Sequence, residues 1–301
     1  MRHSHRQRRF FLLAVFLLFG MTTALHGMTI RIPAPEGEHD SRYSYFVQQL
    51  QLALDHSPLK GQYRLSTYPR EVTQSRAFSL INAGEIDLLW SMSDTKREQQ
   101  FLPVRIPLTQ GLLGYRVILI NKRDEQRFAS MSVEELRQLP CYQGADWPDT
   151  TILTANHFKV RGISDYKRIH FMLDKGNIRC FPRGILEAWG EIESKNLKNT
   201  MVDRHFLLVY PADAYFFVHK KNQALADQLE RGLRAAIADG SFGRLLFSYP
   251  AHQVALEKAD LQQREIIHLH NPLLPAQTPL QEPQLWFSPS AAPGTDRDPP
   301  R

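Results

Sequence analysis

The chain has 301 residues, a formal net charge of +6 and a sequence pI of about 9.3. Four of the positive charges, Arg2, Arg6, Arg8 and Arg9, precede Met28 and no acidic residue does, so the remainder carries only +2. A chain that close to neutrality lacks the electrostatic footprint of a nucleic-acid-binding protein, and its roughly 270 residues suffice for one large domain or two lobes with sizeable cores.

Those four arginines lead into an unbroken apolar run over residues 10–19, followed by the small residues Thr22, Thr23 and Ala24. This is the order of a cleavable secretory signal, expected over residues 1–27. The run is about half the roughly 20 apolar residues a membrane span needs, and no later stretch qualifies. No cysteine sits at the cleavage region for lipid attachment, so the mature chain is expected to be soluble and periplasmic.

From Met28 onward strand-like and helix-like stretches alternate. Residues 28–33 read as a strand, 43–54 as a helix with Phe46, Leu50 and Leu54 on one side, and 62–68 as extended. A helix over 73–83 stops at Gly84, and 86–90 is a short apolar strand. A second series follows Pro107: a strand over 115–121, a short helix opened by the capping box Ser132-x-x-Glu135, and a strand over 141–143. A helix from Asp149, a strand over 159–162, a helix over 164–173, a strand over 178–181 and a helix over 185–193 come next. Extended runs over 206–210 and 215–220 precede a strongly amphipathic helix capped by Asn222, with Leu225, Leu229, Leu233 and Ile237 on one face. Another helical turn or two starts at Ser241. The pattern weakens past Tyr249, and the Pro-, Ser- and Ala-rich residues 283–301 read as a disordered tail. Two α/β units, each opening with its own strand, predict two lobes, each a mostly parallel sheet flanked by helices. Ligands of such sheets sit at the carboxyl ends of strands, and two such edges facing each other make a cleft.

Three stretches carry a resemblance. Gly84-x-x-Asp87-Leu-Leu-Trp-Ser-Met-Ser-Asp-Thr-Lys-Arg97, the Ser132-to-Gly144 helix, strand and glycine turn, and the Lys220-to-Leu246 helix with its Ala-Asp-Gly-Ser-Phe-Gly-Arg-Leu ending are similar to amino-acid-type periplasmic solute-binding proteins, family 3-like with the type 2 binding fold. The resemblance spans residues 28–250 and implies a Venus-flytrap. Lobe one would take residues 28–110 and 212–282, lobe two 111–211, with crossovers near 108–114 and 208–212 and a hinge that closes on ligand.

The resemblance also implies site residues. Arg97 would grip a ligand carboxylate with its planar fork, each such bond being worth about 1.5–3 kcal/mol, with Ser91, Ser93 and Thr95 adding hydroxyl donors. The alternative for Arg97 is a solvated surface side chain. In lobe two, Trp147 would stack on a ligand, and Asp149 or Thr150 would bind it or cap the following helix. Amino-acid binders carry an Asp for the ligand's ammonium after the 178–181 strand. This chain has Arg183 there, which favours an anionic ligand or pairs structurally with Glu187 or Asp149. Cys141 and Cys180 stand as a disulfide candidate or as buried thiols. In such a lobe their strands should be neighbours, about 4.8 Å apart, within reach of a bridge.

No GxSxG, P-loop, dinucleotide fingerprint or HExxH is present, and His268-x-His270 has no third ligand at metal spacing. The expectation is a monomeric, cofactor-free binding protein for a small polar, carboxylate-bearing ligand, serving an inner-membrane transporter or sensor. The alternatives are a dehydratase-like enzyme on the same scaffold, using Glu36 or Glu187, and a degenerate protein that acts only through a partner.

Overall fold

The structure is a computed structural model that describes residues 27–35 and 41–288. The expected leader up to residue 26, Glu36, and the chain past Ser288 lie outside the described residues. The first lobe begins with β1 (Met28–Ile32), α1 (Ser41–Asp55), β2 (Tyr63–Thr67), α2 (Gln74–Asn82), β3 (Leu88–Met92), α3 (Thr95–Gln100) and β4 (Phe101–Val104). The chain crosses into a second lobe of β5 (Tyr115–Asn121), α4 (Glu125–Ala129), α5 (Val133–Gln138), β6 (Cys141–Gly144), α6 (Pro148–Ala155) and β7 (Val160–Ile163). That lobe continues with α7 (Lys167–Asp174), β8 (Phe181–Gly184), α8 (Ala188–Ser194), β9 (Thr200–Val202) and β10 (Phe206–Val209). The chain returns to the first lobe with β11 (Ala214–His219), α9 (Gln223–Ala238), α10 (Ser241–Ser248) and α11 (Pro250–Ala259), and a last strand, β12 (Glu265–His268), follows.

Local chemistry sets several of these boundaries. Thr73 accepts the Arg76 N–H at the start of α2, Ser132 and Glu135 form a reciprocal capping box on α5, and Asn222 accepts the Leu225 N–H at the start of α9. Leu225, Leu229 and Leu233 of α9 are buried, and that apolar face holds the helix in place, each fully buried leucine contributing about 1.5–3 kcal/mol. The β5 run is apolar throughout because both its faces are covered: Val117 and Leu119 join one core cluster, Ile118 and Ile120 another.

Parallel pairing holds for β1 with β2, β6 with β7 and β10 with β12. The strands that carry the chain between lobes differ from the mostly parallel expectation. β11 runs antiparallel to both β3 and β4, and β5 runs antiparallel to β8, β9 and β10. A strand entering a lobe by a direct crossover arrives from the opposite end to strands fed by helices, and antiparallel pairing follows. Cys141 and Cys180 are bridged across neighbouring strands, with Cα atoms 4.4 Å apart.

Two expectations about the end of the chain need correction. Residues 265–268, expected within lobe one, form β12 at the edge of the second lobe's sheet, so the chain passes between lobes again after α11. Residues 283–288 are not a disordered tail. Pro283–Leu285 is a 3-10 turn, Leu285 is buried, and the Phe287 N–H donates to the Gln110 carbonyl at 2.6 Å. Their proline content signals a turn; the neighbouring aromatics supply the packing. Among the described residues no helix is long and apolar enough to cross a membrane.

Candidate functional site

A cleft of ≈ 1240 Å³, counting its open mouth, lies between the lobes. From the first lobe α1 presents Tyr43 and Phe46, and β3 presents Trp90 and Ser91. Trp90 lies 5.3 Å from Tyr43 and 5.5 Å from Phe46 between ring centroids. The second lobe contributes Trp147 and Asp149 at the start of α6, Tyr166, and Arg183 and Glu187 from the end of β8. Gly144 is required there, since a Cβ on it would stand 2.6 Å from the Trp147 ring.

The lobe-one residues divide. Ser91 lines the cleft, but Arg97 does not reach it with a free fork. Its Nε pairs with Asp94 at 3.1 Å, one terminal nitrogen donates to Ser91 Oγ at 2.8 Å and the Met92 carbonyl at 2.7 Å, and the other donates to Gln74 Oε1 at 2.6 Å. A guanidinium this buried has to satisfy its N–H groups, and here it does so by holding three cleft residues, Gln74, Ser91 and Met92, in place. Arg97 is thus neither a solvated surface side chain nor a ready clamp. Ser93 donates to Glu98 at 2.6 Å, and Thr95 gives both its N–H and its hydroxyl to the Leu273 carbonyl. Both serve the frame, not the cleft wall.

In lobe two the charged groups form one connected network. Arg116, rising from β5, pairs with Asp149 at 2.9 Å, donates to Tyr210 at 2.9 Å and approaches Glu187 at 3.4 Å. Tyr210 in turn donates to Asp149. Arg183 grips Glu191 with Nε at 2.8 Å and a terminal nitrogen at 2.5 Å, reaches Glu187 at 3.2 Å, and stacks 4.7 Å from the Trp147 ring centroid. His170 completes the network on Glu191 at 3.0 Å. Burial works against the charge on Arg183, but Glu187 and then Glu191 outweigh it and hold its pKa above the ordinary value. Burial likewise opposes ionisation of Glu191, and Arg183 overcomes it, leaving that carboxyl well below the usual range. Asp149 therefore does not cap α6: its carboxylate belongs to Arg116 and Tyr210, and Thr150 turns back to the Gly144 carbonyl at 2.9 Å. One face of the Trp147 ring, expected to stack on a ligand, carries the Arg183 guanidinium instead.

Of the eight residues expected at the site, Ser91, Trp147, Asp149 and Arg183 line the cleft; Arg97, Ser93, Thr95 and Thr150 do not. Arg42, Trp90, Tyr166 and Glu191 escaped the sequence reading. The sequence puts Tyr115-Arg116 on a strand near a crossover, within reach of the cleft, and Arg116 lines it. Contacts also run across the cleft: Arg42 to Glu187 at 3.3 Å, Ser75 to Asp146 at 2.9 Å, and an ion pair between Lys167 and Glu71. The lobes stand closed on one another.

A second pocket of ≈ 410 Å³, counting its open mouth, shares Arg42, Phe46, Leu113 and Glu187 with the cleft and is also lined by Tyr45, Tyr249 and His252. His252 shares its Nδ1 with the Leu246 carbonyl at 2.9 Å, and burial pushes its pKa down to about 4. His268 and His270 are exposed on and just after β12, and no group of three metal-ligating side chains occurs among the described residues.

No known protein family and no curated protein matches the sequence. Solved structures match in fold. The probable amino-acid ABC transporter extracellular-binding protein YtmK of Bacillus subtilis aligns with a TM-score of 0.57 at 14% identity, covering 75% of this chain and 99% of its own. A histidine kinase sensor domain with similarity to periplasmic binding proteins aligns with a TM-score of 0.57 at 16% identity, over 75% and 97%. The BvgS VFT2 domain of Bordetella pertussis reaches a TM-score of 0.59 at 12% identity, over 82% and 98%. At these identities the likeness is one of fold, and the chain has the two-lobed fold of type 2 periplasmic binding proteins.

Proposed function

We propose that the protein is a periplasmic binding protein whose lobes close on a small, polar, carboxylate-bearing ligand and present the closed form to a membrane transporter or sensor. The observation that carries this reading is the cleft itself. It is lined from both lobes at strand ends, walled by aromatics, and floored by guanidinium groups whose partners come from the same cleft. Two further observations support it. The first 27 residues have the order of an export signal, and the buried Cys141–Cys180 bridge suits an oxidising compartment. Two of the fold neighbours are described as a probable amino-acid ABC transporter extracellular-binding protein and as a histidine kinase sensor domain, which favours binding over turnover.

A thermal-shift screen over amino acids, dicarboxylates and small peptides tests the reading, with chromatography of each hit after incubation. A ligand that raises Tm and is recovered unchanged is the expected result. A screen in which no compound shifts Tm, or in which the hit is consumed, overturns it.

A further inference from the structure

Three guanidinium groups converge on one carboxylate in the cleft. Glu187 takes Arg42 on Oε1 at 3.3 Å, and its Oε2 meets Arg183 at 3.2 Å, Arg116 at 3.4 Å and the Gly184 N–H at 3.2 Å. All four contacts are long beside the roughly 2.7–2.9 Å of a well-made charge-assisted bond. The other two carboxylates are held more tightly: Asp149 lies 2.9 Å from Arg116, and Glu191 is gripped by Arg183 at 2.5 and 2.8 Å. Of these three carboxylates, Glu187 is the one that all three arginines approach. Burial opposes ionisation of Glu187, yet Arg183 and then Arg42 outweigh it, so the carboxyl titrates below its ordinary value and stays charged. Glu187 also joins the lobes, because Arg42 stands on α1 of the first and Glu187 leads into α8 of the second.

We propose that Glu187 is a tethered stand-in for the ligand's carboxylate: Arg42, Arg116 and Arg183 form the cleft's carboxylate subsite, and an anionic ligand enters it by displacing the Glu187 side chain. This rests on the cleft being a ligand site. It moves the anion clamp from Arg97, whose fork is taken up by Asp94, Ser91, Met92 and Gln74, to Arg42 of the first lobe and Arg116 and Arg183 of the second. It also makes ligand entry an exchange of one carboxylate for another. The chemical class that fits is a carboxylate with its partner groups facing the Trp90 and Ser91 wall.

The test is calorimetric titration with sodium acetate at low ionic strength and pH 7, on the unsubstituted protein and on Glu187→Ala. The alanine variant vacates both the charge and the space, so it is expected to bind acetate at least about tenfold more tightly and acetamide no better than before. Glu187→Gln removes the charge while keeping the volume; it should shift in the same direction by less, and it carries the test if the alanine variant does not fold. Adding Arg42→Ala to Glu187→Ala should cancel the gain. No acetate gain in either folded variant, or an equal gain for acetamide, overturns the proposal. The unsubstituted protein's ligand screen is independent of this: hits there without an acetate gain leave the binding reading standing and sink only the subsite.

Discussion

Gly111 lies in the first crossover, and the ring of Trp286 lies across it. Its φ is +82°, and a Cβ added there would meet Trp286 Cε3 at 2.6 Å and Cζ3 at 3.0 Å. Gly111→Ala therefore carries two separate costs. A left-handed alanine is disfavoured by roughly 1–2 kcal/mol. Forcing a methyl against the ring adds about 1–3 kcal/mol of overpacking. In a Trp286→Ala background the second cost disappears and only the backbone term remains. The amide N–H of residue 111 still donates to Asp213 in both backgrounds, so that bond cancels in the comparison. A double-mutant cycle, read by urea unfolding with far-UV circular dichroism to avoid the lost indole, should give a coupling of about 1–3 kcal/mol. If Gly111→Ala costs the same in both backgrounds to within about 0.5 kcal/mol, the end of the chain does not press on the crossover and the packing argument fails.

Other outcomes follow from the same geometry. Replacing Cys141 and Cys180 with Ser opens a loop closed at a separation of 39 residues, and the chain-entropy model expects a loss of about 4 kcal/mol in urea unfolding; a loss under about 1 kcal/mol would refute it. His252 has a folded pKa of about 4, below its ordinary 6.5, so the unfolded chain takes up a proton first as pH falls. Its stabilising contribution is complete above about pH 6.5 and drains away toward pH 4, by about 3 kcal/mol. His252→Gln should flatten that part of the stability–pH curve, and an unchanged slope counts against it. Arg183→Ala strands Glu187 and Glu191 without their main cation and should cost about 3–5 kcal/mol, whereas Arg183→Ala combined with Glu191→Ala should recover part of that loss. Failure of the second change to restore anything would show that the two do not act as a pair.

The alternation of elements was legible because it is local. Caps such as Ser132 and Asn222, the apolar face of α9, and the two-sided run of β5 are each visible within a dozen residues. The last strand was not. Glu265–His268 has only one buried residue, Ile267, with Ile266 half exposed at 49%, and it is a strand because β10 lies beside it, some 60 residues earlier in the chain. The site divides along the same line. Residue types at strand ends were readable, so Trp147, Asp149 and Arg183 were found. Arg183 with Glu187, four residues on, was readable too, but the remaining pairs were not, because Arg116 meets Asp149, and Arg42 meets Glu187, only through the fold. Arg97 shows the converse. Its position was read from a local pattern, but the acceptors that occupy it include Gln74 from another helix, and no local pattern counts those.

The two crossovers are fastened to each other before anything closes over them. Asp213, in the return crossover, accepts the Thr109 hydroxyl at 2.7 Å and the Ala214 N–H at 2.6 Å on one oxygen, and the Gly111 N–H at 2.5 Å and Thr109 N–H at 3.1 Å on the other. A buried carboxylate with four donors resists any motion that parts them, since each stranded donor costs about 1–3 kcal/mol. From the outside, Asn271 holds the Pro211 carbonyl at 2.9 Å and Phe287 holds the Gln110 carbonyl at 2.6 Å, so the closing stretch of the chain touches both crossovers. Bending at the centre of the crossovers, or at Ala214, would break these bonds; bending near Val104, Tyr115 and Val209, which lie outside this set of donors, would not. The contacts that do separate when the lobes part are those across the cleft, Arg42 with Glu187, Ser75 with Asp146 and Lys167 with Glu71. Of these, Lys167 with Glu71 is an ion pair between exposed side chains, worth up to about 1 kcal/mol. The crossovers are bonded to each other in their middle, and few contacts bridge the mouth of the cleft.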